Sequence, residues 1–241
     1  MNKMTLGILG TKIGMTRIFG DKGTVLPVTL IQAGPCKIVG IKKKETDGYN
    51  AITLGFGEVK EKNLSKPFLG IFNKINLKPC KWLKEFRLES INGYKLGQEI
   101  KVDIFKEGDF VDIQGRIKGK GFQGVVKRHN FGGGPRTHGQ SDRQRAPGAI
   151  GSQRPQRVVK GKKMPGHMGN VLRTVQKLKV IKIVPEKNLL VVKGSVCGPN
   201  KNLLVINKTV KKIKQRITVS LEKKIPGKGK AKSQETSTKK K

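Results

Sequence analysis

Acidic residues are scarce in this 241-residue chain: 16 Asp and Glu stand against 52 Lys and Arg, giving a formal net charge of +36. A protein so one-sided repels itself in the compact state and calls for a polyanion to neutralise it. Hydrophobic side chains make up 35% of the sequence and aromatic ones 5%. That supports a modest core but not close packing of the whole length. No apolar run reaches the roughly 18 residues of a membrane-spanning helix. Cysteine is equally sparse. Cys36, Cys80 and Cys197 lie far apart, with no C-x-x-C pair, zinc spacing or disulfide framework among them. They read as three isolated small hydrophobes in a reducing compartment. Met1–Met15 carries neither the apolar stretch of a secretory signal nor the Arg/Ser-rich pattern of a transit peptide. The expectation is a bacterial, organelle-encoded or already processed protein.

What is present is β-pattern. Apolar runs rich in Val, Ile, Thr and Phe alternate with turn signals through residues 1–114: Gly7–Met15, Arg17–Phe19, a turn at Gly20–Gly23, Thr24–Gln32, Cys36–Lys42 and, after Asp47-Gly48, Tyr49–Phe56. Residues 57–100 are less periodic and lysine-rich, and Trp82, Leu83, Phe86 and Leu88 predict a short amphipathic segment there. Val102–Gly115 predicts strand, turn at Gly108-Asp109, and strand. Strand character returns at Val171–Val184, Leu189–Val196 and Leu203–Ile206. From Lys208 the chain is a basic tail, expected to be disordered or ordered only by RNA.

Between these pieces the texture changes. Residues 115–170 hold 13 glycines, 13 lysines and arginines, all three histidines and a single acid, Asp142. So few apolar residues cannot bury a stretch of that length. A long loop without structure inside a compact domain makes sense only if it is functional. Its composition predicts that something outside the protein orders it. The expected layout is therefore a β-rich body in two pieces, 1–114 and 171–207, an inserted arm at 115–170 and a basic tail at 208–241.

The arm's chemistry suits phosphate. Arginine offers a planar fork of donors and lysine a point charge. Glycine lets the backbone itself come close. Their alternation in Lys118-Gly119-Lys120-Gly121 and Lys160-Gly161-Lys162-Lys163 makes a narrow cationic thread, suited to a crevice between packed RNA helices. Candidate phosphate contacts are Arg116, Lys118, Lys120, Lys127, Arg128, Arg136, Arg143, Arg145, Arg154, Arg157, Lys160, Lys162 and Lys163. Phe122, His129, Phe131, His138 and His167 are candidates for stacking or hydrogen bonding to RNA.

Other chemistries fit poorly. His129, His138 and Asp142 lack the rigid frame that catalysis needs, and the histidines are not spaced like metal ligands. Gly132–Gly134 is no phosphate loop, because no G-K-[ST] follows, and G-K-G-F-Q-G at Gly119–Gly124 lacks a strand–helix setting. Polybasic chains bind anionic lipids, but no helix with a clean apolar face accompanies this one. An RNA annealing factor would use the same charges without needing a β-body. An RNA-modifying enzyme would need a cofactor pocket and a buried acid or nucleophile, and the sequence offers neither.

The chain resembles the universal large-subunit ribosomal protein three family, of bacterial or plastid type. The resemblance rests on Gly7–Phe19 (GILGTKIGMTRIF), Thr46–Gly57 (TDGYNAITLGFG), Lys84–Leu88 (KEFRL), Lys118–Asn130 (KGKGFQGVVKRHN), Thr137-His138-Gly139, Pro147–Gly151 (PGAIG), Lys160–Asn170 (KGKKMPGHMGN) and Asn188–Gly198 (NLLVVKGSVCG), in order. It implies a mainly β fold: a β-barrel resembling the second domain of translation factors, with a long extended basic arm. It implies that the arm threads through large-subunit rRNA toward the peptidyl-transferase centre. Phe131–Gln153 would form the tip, and Gly115–Phe122 and Val158–Met168 the two shanks. Such proteins bind early in assembly, near the 3′ end of the rRNA, beside other large-subunit proteins. The resemblance implies no enzymatic activity, catalytic residue, metal, cofactor, small-molecule substrate or membrane. The compartment would be the bacterial cytoplasm or the plastid stroma. Some members carry a methylated glutamine directly after the glycine that closes P-G-x-I-G. Here Ser152 holds that place and Gln153 follows, so the modification is not carried over.

Overall fold

The computed structural model describes residues 6–20 and 23–211. Most of the tail from Lys208 onward therefore lies outside the described residues. In chain order the strands are β1 (Ile8–Phe19), β2 (Val25–Ala33), β3 (Cys36–Lys42), β4 (Ala51–Glu58), β5 (Cys80–Arg87), β6 (Glu99–Ile100), β7 (Phe110–Arg116), β8 (Phe122–Gln123), β9 (Gly166–His167), β10 (Leu172–Val184), β11 (Leu189–Lys193) and β12 (Leu203–Lys208). The α-helices among them are α1 (Lys44–Asp47), α2 (Lys66–Asn73) and α3 (Val125–His129). The fold is mainly β.

Six strands close into a barrel in the order β1-β12-β7-β10-β11-β2. Every neighbouring pair is antiparallel. Alternation along each strand sends one set of side chains inward. Ile31, Ile113, Val180, Leu190, Val192, Leu204 and Ile206 are fully buried there. Ile113 faces Val175 on β10 and Ile206 on β12. Ile113→Ala removes three carbons from a filled interior and should destabilise the protein by about 2–5 kcal/mol. A chemical denaturation midpoint reads this directly.

The stretch between β2 and β7 builds a second sheet, ordered β5-β4-β3-β6. Its Ile38, Ile52, Leu54 and Phe86 join the same core cluster as the barrel residues. The opposite face carries Val39 and Cys80, which pack against the fully buried Phe72 of α2. With both faces covered, β3 and β4 read as nearly continuous apolar runs rather than alternating ones.

One local expectation is made specific and one is corrected. Trp82, Leu83, Phe86 and Leu88 lie on or just after a strand, β5, laid along β4 in the register Ile52–Phe86 and Phe56–Trp82. Phe56 and Trp82 stack with ring centroids 5.9 Å apart. The helix of this region, which the sequence reading did not place, is α2. Ser65 precedes it, Pro67 lies in its first turn, and Phe68 and Phe72 sit one turn apart with centroids at 5.8 Å. Val102–Gly115 is not two strands: Val102–Ile104 is a single 3₁₀ turn, and only Phe110–Arg116 is extended.

Cys36 sits at the joint between the two sheets. Its thiol donates to the Leu9 carbonyl at 3.5 Å, and burial pushes its pKa up to about 12. The folded state thus holds a proton that the unfolded thiol loses near pH 9, so stability falls as pH rises from about 9 toward 12. Cys36 should resist thiol alkylation at pH 8 while the half-exposed Cys197 reacts. Mass mapping of alkylated peptides checks the order.

Candidate nucleic-acid interface

The basic insertion leaves and re-enters the barrel through adjacent antiparallel strands, β7 and β10, where Arg116 faces Leu172. Pairing continues outward beyond the barrel. Ile117 N–H donates to Val171 O at 3.0 Å, Lys120 N–H to Met168 O at 2.9 Å, and Met168 N–H to Gly121 O at 2.9 Å. β8 and β9 then pair Phe122 with His167 and Gln123 with Gly166. The root of the insertion is thus a narrow two-stranded ribbon. Gly169 makes the close crossing possible. It sits at φ +81°, and a Cβ there would overlap the Lys118 carbonyl oxygen.

Beyond the ribbon, α3 anchors one side. Val125 is 1% exposed, and Asn130 ends the helix in a left-handed conformation at φ 60°. Arg128 donates to Met164 O at 2.7 Å, and His129 Nε2 lies 3.1 Å from the same oxygen. The His129 and Phe131 rings sit 6.1 Å apart. Further out, regular structure ends. Gly134 N–H donates to Gln144 O at 2.9 Å, bringing the glycine run against Arg143–Arg145. Gly132–Gly134, Arg143 and Ala146–Gly148 rim a hollow of about 550 Å³.

The placement of the candidate side chains follows from this layout. Arg116, Lys118 and Lys120 project from the ribbon, and Phe122 and His167 are cross-strand neighbours on it. Arg116 also spans the root, donating to Asn170 O at 3.0 Å. Lys127, Arg136, His138, Arg143, Arg145, Arg154, Arg157, Lys160, Lys162 and Lys163 are exposed. Arg128, His129 and Phe131 are half-buried. Phe122 is 76% exposed although it is an aromatic residue.

The charges are left uncompensated. In the body, Lys42 meets Glu85 at 3.0 Å and Lys208 meets Asp109 at 2.8 Å. The Lys208 ammonium holds the Asp109 carboxyl below its usual range. Among the described residues, none of the cations between Arg116 and Lys163 joins an ion pair. One residue at the root escaped sequence reasoning. Lys12 in β1 is buried, and its ammonium donates to Val196 O at 2.8 Å and Gly198 O at 3.2 Å. Burial, then the charge of Lys118, lowers its pKa. Its signal was a lone lysine at an inward position of an apolar run. Among the described residues, no three His, Cys, Asp or Glu side chains converge as metal ligands would.

A closed barrel that carries an unpaired cationic ribbon and loop defines a basic β-protein built around charge display. Comparison with known proteins gives the particular family. Residues 92–188 match the family model described as ribosomal protein L3. The chain is 53% identical over 208 residues to the large ribosomal subunit protein uL3 of Brachyspira pilosicoli, covering 86% of this chain and 95% of that one. It is 53% identical over 208 residues to the protein of the same name from Carboxydothermus hydrogenoformans, covering 86% and 99%. Against that of Heliobacterium modesticaldum the identity is 49% over 205 residues, covering 85% and 97%. The chain belongs to the ribosomal protein L3 family, and so to the structural proteins of the large ribosomal subunit rather than to enzymes.

Proposed function

We propose that this protein binds large-subunit rRNA directly through residues 115–170, nucleates early assembly near the rRNA 3′ end and supports the peptidyl-transferase centre with the tip Phe131–Gln153. The body, 1–114 and 171–207, acts as the platform, its β1-β12-β7-β10-β11-β2 barrel akin to the second domain of translation factors and its β3–β6 sheet packed beside it, and the tail from 208 adds charge. The observation that carries this reading is the set of 13 cations accompanied by one acid, Asp142. In water their mutual repulsion is uncompensated, and phosphate removes it. The cations Arg116, Lys118, Lys120, Lys127, Arg136, Arg143, Arg145, Arg154, Arg157, Lys160, Lys162 and Lys163 meet the RNA backbone. Arg128 does so with the donors it does not spend on Met164. Phe122, His129, Phe131, His138 and His167 contact bases or sugars. Most of these contacts read backbone and shape rather than base edges. No cofactor, metal or small-molecule substrate enters this reading. The bacterial sources of the relatives favour the bacterial cytoplasm over the plastid stroma.

Sedimentation of lysate tests the reading. The chain should travel with large subunits through moderate salt. A free light fraction would instead identify an annealing factor.

A further inference from the structure

β1 and β2 run on past the closed part of the barrel. β12 pairs with β1 only over Ile8–Thr11, and the last bonds on that side join Lys12 to Asn202 and Lys201. From Ile13 to Phe19, β1 has β2 on one side and, among the described residues, no strand on the other. Gly20 N–H donates to Thr24 O at 2.9 Å, which sets the alternation of the hairpin ladder. Ile18–Leu26 and Thr16–Val28 are then the hydrogen-bonded pairs. Met15, Arg17 and Phe19 turn their backbone N–H and C=O groups to the free side. Pro27, which has no N–H, lies opposite Arg17, where the β1–β2 ladder needs none.

The side chains along this edge are apolar and uncovered. Met15 is 53% exposed, Phe19 68% and Val25 53%. Phe19 faces Val25 across the hairpin, and Met15 shares their side of the pleat. A free strand edge of this kind invites pairing with another chain, and proteins normally guard one with lysine or proline. Ile13–Phe19 carries neither, and Arg17 is its one charge. That also argues against RNA as the occupant. Phosphate binding scales with the cations presented, and a chain with 52 lysines and arginines has placed a single one here.

We propose that the free edge of β1, Ile13–Phe19, docks an extended segment of a neighbouring large-subunit protein by strand addition. This rests on the proposed residence of the chain in the large subunit. Backbone groups of Met15, Arg17 and Phe19 pair with the incoming strand. Met15, Phe19 and Val25 contact its alternate apolar side chains.

The test uses full-length protein in which Met15 or Phe19 is replaced by photoreactive benzoylphenylalanine, incorporated into large subunits, irradiated and digested. Both positions should crosslink to one protein, at sites about four residues apart, as one strand beside another requires. The double variant Met15→Lys/Phe19→Lys changes exposed side chains only. It should enter subunits at wild-type occupancy while the crosslinked protein falls about ten-fold in abundance there. Crosslinks to rRNA, to scattered proteins or to nothing would overturn the proposal, as would unchanged abundance of the neighbour. Absence of the wild-type chain from the large-subunit fraction would overturn the parent reading as well, and sedimentation reports that separately.

Discussion

Replacing Phe131–Gln153 by a short Gly/Ser link should leave a protein that folds and still binds rRNA, yet gives large subunits with peptidyl transfer lowered about 10- to 100-fold. The structure explains why folding survives. The tip holds itself together by contacts such as Gly134 to Gln144, and it contributes no residue to either core cluster. The ribbon from Arg116 to Gln123 and from Gly166 to Leu172 remains paired without it. So do the exposed Lys118, Lys120, Lys160, Lys162 and Lys163, which keep enough charge for rRNA attachment. On the proposed function the tip supports the RNA around the reacting ends, and a displacement of about 1 Å at a catalytic centre can slow a reaction about 10²-fold. Circular dichroism and filter binding of the variant, beside a peptidyl-transfer assay of its subunits, separate these effects. Wild-type subunit yield and activity would remove the tip from the account.

The second large effect is that of salt. If 6–10 of the arm's cations seat on phosphates, raising salt from about 50 to 200 mM should weaken binding to large-subunit rRNA by about 10³–10⁵. Each phosphate neutralised contributes about −0.7 to −0.9 to the slope of log K against log salt, so Lys160→Gln/Lys162→Gln/Lys163→Gln should flatten it by about 2–3. These lysines are exposed, and surface substitutions of this kind change stability by no more than about 0.5 kcal/mol, so folding is not confounded. The same triple change should weaken binding to unrelated RNA nearly as much, since phosphate contacts carry little sequence information. A slope unaltered by the substitutions would place the bound phosphates elsewhere.

Particular residues show how far the sequence could be read. β3 was legible to the residue as Cys36–Lys42, because a Gly-Pro break precedes it and lysines follow it. The β1–β2 hairpin was legible because its turn glycines, Gly20 and Gly23, separate two β-branched runs. Composition exposed the basic insertion, since charge without counter-charge is visible before any fold is known. The pairing of strands was not legible. Nothing local in Lys37 or Leu54 announces a second sheet beside the barrel, because that depends on partners far along the chain. β5 was legible as a short amphipathic segment but not as a strand, for a related reason. Trp82, Leu83, Phe86 and Leu88 fit neither a period of 2 nor one of 3.6 cleanly, and β4 decides between them. α2 carried Ser65, Pro67 and the Phe68–Phe72 spacing, signals that the surrounding lysines obscured. Within the interface, composition named Arg128 and His129 as RNA contacts. Only the fold reveals that both also converge on Met164 O, more than 30 residues away in sequence.

The central claim is that the cations of residues 115–170 rest on rRNA. Ultraviolet irradiation of intact large subunits, followed by peptide mapping, tests it most directly. Nucleotide adducts should concentrate on peptides between Arg116 and Lys163, including those bearing Phe122 and Phe131. Adducts confined to the β3–β6 sheet, with the arm peptides recovered unmodified, would contradict it.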